Sequence, residues 1–262
     1  MNENPYRAIE HGGPGTVGWR IHYYAEVGST QQIAETLALD GAAHGSVVIA
    51  ESQAAGHGRL GRQWFSPAGV NLYASVILRP AIAAVDVPVL SLAAGVALAE
   101  AVETLAPGLA GLKWPNDLWI RGKKAGGMIA QLLGGSTLCV VLGIGVNLNL
   151  EANQVPPDLR AIATSILIET GKPVDRVKFA ATFFARLDER IRQVQQTGFA
   201  PIAPVWDRYS ILKGKQVTVF DGQTRHSGTV QGIDRSGALL LVEDGETRRV
   251  VAGDVTIEKF ER

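Results

Sequence analysis

Pro67 narrows the possible folds of this chain because of what stands in front of it. Residues 53–73 read Gln-Ala-Ala-Gly-His-Gly-Arg-Leu-Gly-Arg-Gln-Trp-Phe-Ser-Pro-Ala-Gly-Val-Asn-Leu-Tyr. Gly56-x-Gly58-x-x-Gly61 has the spacing of a dinucleotide-binding fingerprint, which must open a helix. Pro67 would break such a helix almost at once, so a doubly wound dinucleotide fold does not start here. Gly56 and Gly61 also have P-loop spacing, but Arg62 and Gln63 stand where that motif needs Lys and then Ser or Thr. What remains is a loop between two strand-like runs, residues 47–51 and 72–78.

The loop has its own chemistry. Gly56, Gly58 and Gly61 let the backbone turn sharply and approach a ligand, and Arg59 and Arg62 place permanent positive charge among them. No Asp or Glu occurs between Glu51 and Asp86, whereas His57, Arg59, Arg62 and Arg79 all do. A phosphate or carboxylate is therefore expected to meet little repulsion there. The plain alternative is an ordinary surface loop.

Length and charge bound the rest. With 262 residues and 46% hydrophobic content, the chain can bury a full core as one large domain or a large one with a small companion. Twenty-five basic residues balance twenty-five acidic ones, so the bulk electrostatic footprint of a DNA or membrane binder is missing. The one cysteine, Cys139, lies in an apolar run and reads as a buried, reduced thiol, which fits a reducing cytoplasm. The first fifteen residues do not have the pattern of a signal peptide. The longest apolar stretch, residues 87–99, is too short for a bilayer span and reads as a core helix.

Periodicity gives the organisation. Ser29 followed by Gln32 is a capping-box signature for a helix with Ile33 and Leu37 on one face. Residues 117–120, the Arg121-Gly122-Lys123 turn and residues 126–133 predict a hairpin, with 138–146 as the next strand. Asp175 caps a helix carrying Val177, Ala180, Phe184, Leu187, Ile191 and Val194 inward and ending near Gly198. Without a regular βαβ rhythm, the class is α+β with a mixed sheet. From about Leu212 the style changes to short strands, 217–220, 228–233, 238–242 and 247–251, separated by Asp221-Gly222, Ser236-Gly237 and Asp244-Gly245 turns. This predicts a small β-barrel, and its balanced charges make nucleic acid a minor reading.

A second cluster is Lys113-Trp114-Pro115-Asn116-Asp117 followed by Lys123-Lys124-Ala125-Gly126-Gly127. A lysine beside two strand glycines leaves room for a ligand against the backbone while its ammonium reaches an anion. Lys124 fits that role, and Lys123 reads as a solvated hairpin tip. Gly143-Ile144-Gly145-Val146-Asn147 adds a glycine-spaced strand end with one amide, suited to a base or ribose or, more plainly, to capping a loop.

Together the three segments resemble the biotin protein ligases, whose catalytic core is similar to that of the lipoate protein ligases. The resemblance runs from about Ile21 to the C-terminus. It implies an α+β fold: a mixed-sheet catalytic core of the biotin/lipoate protein ligase type with a small C-terminal SH3-like β-barrel. The expected division is an N-terminal extension over 1–20, a catalytic biotin- and ATP-binding domain over 21–211 and the barrel over 212–262. The implied reaction activates biotin with ATP, in the presence of Mg2+, to biotinyl-5'-AMP and then transfers biotin to a lysine of a biotin carboxyl carrier domain of a biotin-dependent carboxylase.

Carried over by position, Ser29, Thr30, Gln31 and Gln53 resemble the biotin-ring contacts. His57, Gly58 and Arg59 resemble the loop that folds over the adenylate, with Arg62 adding charge to the nucleotide side. Trp64 resembles the adenine-stacking ring, and Asn147 an adenine contact. Lys124 resembles the lysine that holds the biotin carboxylate and α-phosphate, and Asp117 the group that orients the carrier lysine or the ribose. No protein metal site is expected, nor a DNA or membrane partner; a homodimer is left open.

Two positions depart from the family pattern: His57 stands where Arg is usual, and Glu258 where some relatives have an arginine near the nucleotide. Only about twenty residues precede the core, too few for the DNA-reading domain of regulatory members, so the expectation is the enzyme alone. The rival readings are a lipoate or octanoate ligase or transferase and a non-catalytic nucleotide-binding module.

Overall fold

The computed structural model describes residues 4–134 and 138–257; Glu258 lies outside the described residues. The elements in order are β1 (Arg20–Val27), α1 (Thr30–Leu39), β2 (Ser46–Gln53), β3 (Leu72–Leu78), α2 (Pro88–Glu103), β4 (Gly111–Lys113), β5 (Asp117–Ile120), β6 (Lys123–Leu133) and β7 (Cys139–Val146). After these come α3 (Ile166–Thr170), α4 (Arg176–Thr197) and α5 (Ala203–Tyr209), then β8 (Gln216–Phe220), β9 (Arg225–Ile233), β10 (Leu239–Glu243), β11 (Glu246–Val250) and β12 (Asp254–Ile257).

The first seven strands form one sheet in the order β1-β2-β3-β7-β6-β5-β4. Only β1 and β2 run parallel; the other neighbours are antiparallel. The mixed sheet expected from the irregular rhythm is therefore present, and the class is α+β. The last five strands form an antiparallel sheet of their own, β11-β10-β9-β8-β12. Periodicity alone did not reveal β1 or β12.

The central sheet is covered unequally. On one face α2 and α4 bury a large core with Leu72, Val76, Leu142 and Ile144. Helix α2 is apolar all round, and Ala84–Glu103 is longer than the sequence stretch suggested and meets the length and composition of a membrane span. Most of it is buried inside this core, however, so its composition answers to protein neighbours. The other face has a smaller cluster under α1, formed by Ala34, Ala38, Val48, Ile77, Cys139 and Val141. Small residues bring α1 close to the sheet, which leaves Ile33 and Leu37 half-buried at its flanks.

Caps fix where the helices begin. Ser29 Oγ accepts from the Gln31 amide at 3.2 Å, and Asp175 Oδ1 accepts from the Val177 and Lys178 amides, each at 3.1 Å. The buried Ser29 cap stabilises by about 1 kcal/mol. Helix α4 stops at Gly198, whose φ of 73° suits glycine. The first cap also aims the start of α1 at the end of the sheet that its apolar residues leave uncovered.

Candidate active site

One rung of the central sheet organises that uncovered end. Reading across β4, β5, β6, β7 and β3, the residues in register are Lys113, Asp117, Gly127, Gly145 and Tyr73. Directly opposed residues share a face, and this rung faces the α1 side. It therefore presents a cation, a carboxylate, two gaps and a phenol in a row.

The gaps are occupied by side chains from elsewhere. A Cβ on Gly145 would meet Trp64 Cε2 and Nε1 at 2.6 Å, and one on Gly143 would meet Gln31 Oε1 at 2.5 Å. A Cβ on Gly127 would lie 3.3 Å from Lys124 Nζ. These glycines let polar side chains lie directly on the backbone. Trp64 Nε1 is a buried donor without a protein partner among the described residues.

A bulge aims Lys124. Leu118 pairs with Gly126 but Trp119 pairs with Lys124, leaving Ala125 as the extra residue. Without it, alternation would turn Lys124 to the opposite face. Instead its Nζ stands 2.7 Å from Asp117 Oδ1 and 5.4 Å from the Trp64 ring centre. Its backbone is pinned by Lys124 N donating to Ile162 O at 2.8 Å and Thr164 N donating to Lys124 O at 2.9 Å.

The start of α1 closes the site with a polar network. Thr30 N and Oγ1 both donate to Gln53 Oε1, at 2.9 and 3.1 Å. Ser75 Oγ donates to Thr30 Oγ1 at 2.9 Å, and Gln53 Nε2 donates to Ser66 Oγ at 3.1 Å. Gln31 Nε2 donates to Val141 O at 3.2 Å. Thr30, Gln31, Ser66 and Ser75 are all buried, so this is a preorganised set of donors and acceptors.

Above the glycine floor, the loop folds into a small hairpin: Gly58 N donates to Arg62 O at 2.7 Å and Trp64 N to Gly56 O at 2.8 Å. Gly56 is needed at its base, because a Cβ there would stand 2.8 Å from both Gln53 Nε2 and Ser66 Oγ. His57 Nδ1 lies 3.3 Å from Ala55 O. Arg59 Nη1 donates to Asn116 Oδ1 at 3.4 Å and Gly253 O at 3.2 Å, and lies 3.5 Å from Asp254 Oδ1. Arg62 forms an ion pair with the same Asp254.

That last contact corrects the expectation of a loop free of acids. The sequence near the loop has none, but folding brings Asp254 in from β12, 192 residues along the chain from Arg62. Lys113 is a second finding. It makes no ion pair among the described residues and lies over the Trp119 ring at 4.9 Å. Burial pushes its pKa below the ordinary lysine value, with Asp117 opposing and Lys124 adding to the fall. Lys113, Lys124, Arg59 and Arg62 face Asp117 and Asp254, four cations against two carboxylates.

The remaining predicted residues fall in two groups. Ser29 is buried and occupied as the α1 cap. Asn147 is also buried, and its amide is held at both ends: Nδ2 donates to Thr164 O at 2.9 Å, and Oδ1 accepts from Asn71 at 3.2 Å. Lys123 bends to Arg160 O at 2.9 Å, away from the site. Parity across the Lys113–Asp117 pair was the sequence signal for Lys113; nothing local points to Asp254. No group of three His, Cys, Asp or Glu residues suited to a metal ion occurs among the described residues.

Comparison with known proteins gives a consistent picture. Residues 24–147 match the biotin/lipoate A/B protein ligase family, and residues 213–257 match the biotin protein ligase C-terminal domain. The chain is 37% identical over 249 residues to the biotin--[acetyl-CoA-carboxylase] ligase of Mycobacterium tuberculosis, covering 91% of this chain and 89% of that one. It is 32% identical over 243 residues to the bifunctional ligase/repressor BirA of Bacillus subtilis, covering 92% and 75%. The structure is similar to that of the biotin protein ligase from Aquifex aeolicus in complex with biotin and ATP, with a TM-score of 0.81, 26% identity and coverage of 92% and 99%.

Proposed function

The chain belongs to the biotin/lipoate protein ligase family, and from that premise we propose that it is a biotin protein ligase. It joins biotin and ATP into biotinyl-5'-AMP with loss of pyrophosphate, then passes biotin to one lysine of a biotin carboxyl carrier domain in a biotin-dependent carboxylase. The observation that carries this reading is the rung of Lys113, Asp117, Gly127 and Gly145, with Lys124, Trp64 and the loop arginines gathered over its two glycines.

In the first step a biotin carboxylate oxygen attacks the α-phosphorus of ATP. One O–P bond forms, the bond to the bridging oxygen breaks, and pyrophosphate leaves. Two anions must approach each other, so the enzyme's task is electrostatic preorganisation. Lys124 holds the carboxylate against the α-phosphate, while Arg59 and Arg62 draw the phosphates down from the loop. Ser29, Thr30, Gln31 and Gln53 hold the ureido ring at the buried network, and His57 and Gly58 cover it. Adenine stacks on the outward side of Trp64, and Asn147 frames its edge through Asn71 and Thr164. Mg2+ would come with the nucleotide as MgATP and supply charge neutralisation on its phosphates.

In the second step the neutral carrier amine attacks the acyl carbonyl, AMP departs with the electron pair, and a proton leaves the nitrogen. Asp117, 2.7 Å from Lys124 Nζ, orients the amine or the ribose beside it. Every contact in this scheme comes from one chain, so it requires neither a monomer nor a homodimer. It has no place for DNA or a membrane, and the cytoplasm is the proposed compartment.

Biotin is preferred to lipoate or octanoate because residues 213–257 match a domain described for biotin protein ligases. The test is to incubate the purified chain with biotin, MgATP and a carrier domain and weigh the carrier. The gain of one biotinyl group on a single lysine supports the reading; an unmodified carrier, or adenylate formed only with lipoate, contradicts it.

A further inference from the structure

The cation site just described contains a carboxylate that has no part in the proposed reaction. Asp254 stands at the first position of β12, in the C-terminal sheet, and touches both arginines of the glycine loop. We infer that Asp254 is a built-in stand-in for a nucleotide phosphate, which parks Arg59 and Arg62 at the mouth of the site and yields them when ATP arrives. The inference rests on the proposed use of ATP.

The contacts have the character of a temporary hold. Arg59 has three long contacts, 3.2 Å to Gly253 O, 3.4 Å to Asn116 Oδ1 and 3.5 Å to Asp254 Oδ1, and no bidentate pair. A phosphate oxygen offers the same guanidinium shorter, charge-assisted bonds of about 2.8 Å. The Arg62 side chain is 69% exposed, so water screens its pair with Asp254 and little is lost when it breaks. Lys113 feels the same carboxylate, and its pKa is drawn upward by it. Asp254 therefore sits in the field of three of the four site cations, where an anionic substrate would experience the same attraction.

Two consequences follow from exchanging one anion for another. The barrel strand β12 becomes an affinity-setting element of the nucleotide site, because each phosphate contact made by the loop must displace Asp254. The loop also stays folded between turnovers, since its arginines are never without a partner. Asp254 is a positioning residue, acting through Arg59 and Arg62.

The test compares wild type with Asp254→Asn, which keeps the shape and removes the charge, and with Asp254→Glu, which restores it. With biotin saturating, Asp254→Asn should lower KM for ATP about threefold to fivefold, the worth of a screened ion pair, with kcat changed much less; Asp254→Glu should return KM toward wild type. Without ligand, amide hydrogen exchange over residues 56–64 should speed up in the Asn variant, and ATP should slow it again. Inorganic tripolyphosphate is the second probe, and it too should bind the Asn variant more tightly. An unchanged or raised KM together with unchanged tripolyphosphate binding would overturn the stand-in role. Tighter tripolyphosphate binding without any ATP-dependent turnover would keep that role and overturn the ligase reading instead.

Discussion

The two pairs of site cations are held in opposite ways. Lys113 on β4 and Lys124 on β6 flank the strand β5 that carries Asp117, share that carboxylate as a neighbour a few residues away, and are fixed by strand register and a bulge. Arg59 and Arg62 stand on a glycine loop whose own hydrogen bonds shape only a small hairpin, and their acidic partner comes from the far end of the chain. The lysine half is built by the sheet and is present before substrate; the arginine half depends on a contact that can be exchanged. This division suits a ligase, which must hold a reactive anhydride firmly on one side and open for the carrier on the other.

Removing the fixed half should have the largest effect. Lys124→Ala is expected to lower biotin-dependent pyrophosphate exchange by about a hundredfold to a thousandfold, the usual loss for one preorganised charge at a transition state. The melting temperature should stay close to wild type, because the Lys124 side chain is partly exposed. Exchange within a few-fold of wild type would mean that the sheet lysine is not the reacting centre and would collapse the comparison.

Removing one member of the exchangeable half should act later in the cycle. Arg59→Gly is expected to make biotinyl-5'-AMP but release it about tenfold faster or more, in line with the loss of a charge-assisted hydrogen bond. The measurement is adenylate dissociation together with labelling of bystander proteins. Unchanged release with a collapsed rate of synthesis would place Arg59 in the fixed half.

The lowered pKa of Lys113 gives a pH signature to the sheet side alone. As pH rises through that lowered value the site loses one cation, so KM for ATP should climb by a few-fold below the ordinary lysine range of about 10.4. Arginine stays charged throughout. Lys113→Arg should remove the climb. Stability moves the other way: between the folded and unfolded values the unfolded chain binds more protons, so folding gains as pH rises. A climb that persists in Lys113→Arg would assign it to another group.

The smallest effect separates Asp254 from the barrel that carries it. Asp234 lies in a barrel turn, where it accepts from Ser236 N at 2.8 Å and Ala238 N at 3.0 Å and pairs with Arg249. Burial would raise its pKa, but these partners outweigh burial and hold it at about 2. Its contribution is therefore complete above about 3.9, the unfolded value, and is lost as pH falls toward about 2. Asp234→Ala should destabilise the chain by about 1 to 2 kcal/mol at neutral pH and leave KM for ATP unchanged. A KM that moved with Asp234 would mean that barrel stability in general, rather than the Asp254 contact, tunes the loop.

What the sequence disclosed follows the same division. The lysine hairpin, its glycine neighbours and the capped start of α1 were legible because each depends on spacing within a few residues. The strand end with glycines at 143 and 145 read as a place for a base or ribose, without a sign that Trp64 and Gln31 would lie against those glycines. The Asp254 contact was not legible, because no periodicity links a loop to a strand nearly two hundred residues away. Nor could the engagement of Asn147 be foreseen, since its partners Asn71 and Thr164 belong to other segments. Local pattern thus located the candidate residues, and tertiary packing decided which of them are held and which are free.

The central claim is that these four cations join biotin to ATP. Its most direct test is exchange of labelled pyrophosphate into ATP by the purified chain, measured with biotin, with lipoate and with neither. The account predicts exchange that depends on biotin, remains at background with lipoate, and disappears in Lys124→Ala. Exchange that lipoate supports as well as biotin, or that proceeds without either acid, would contradict it.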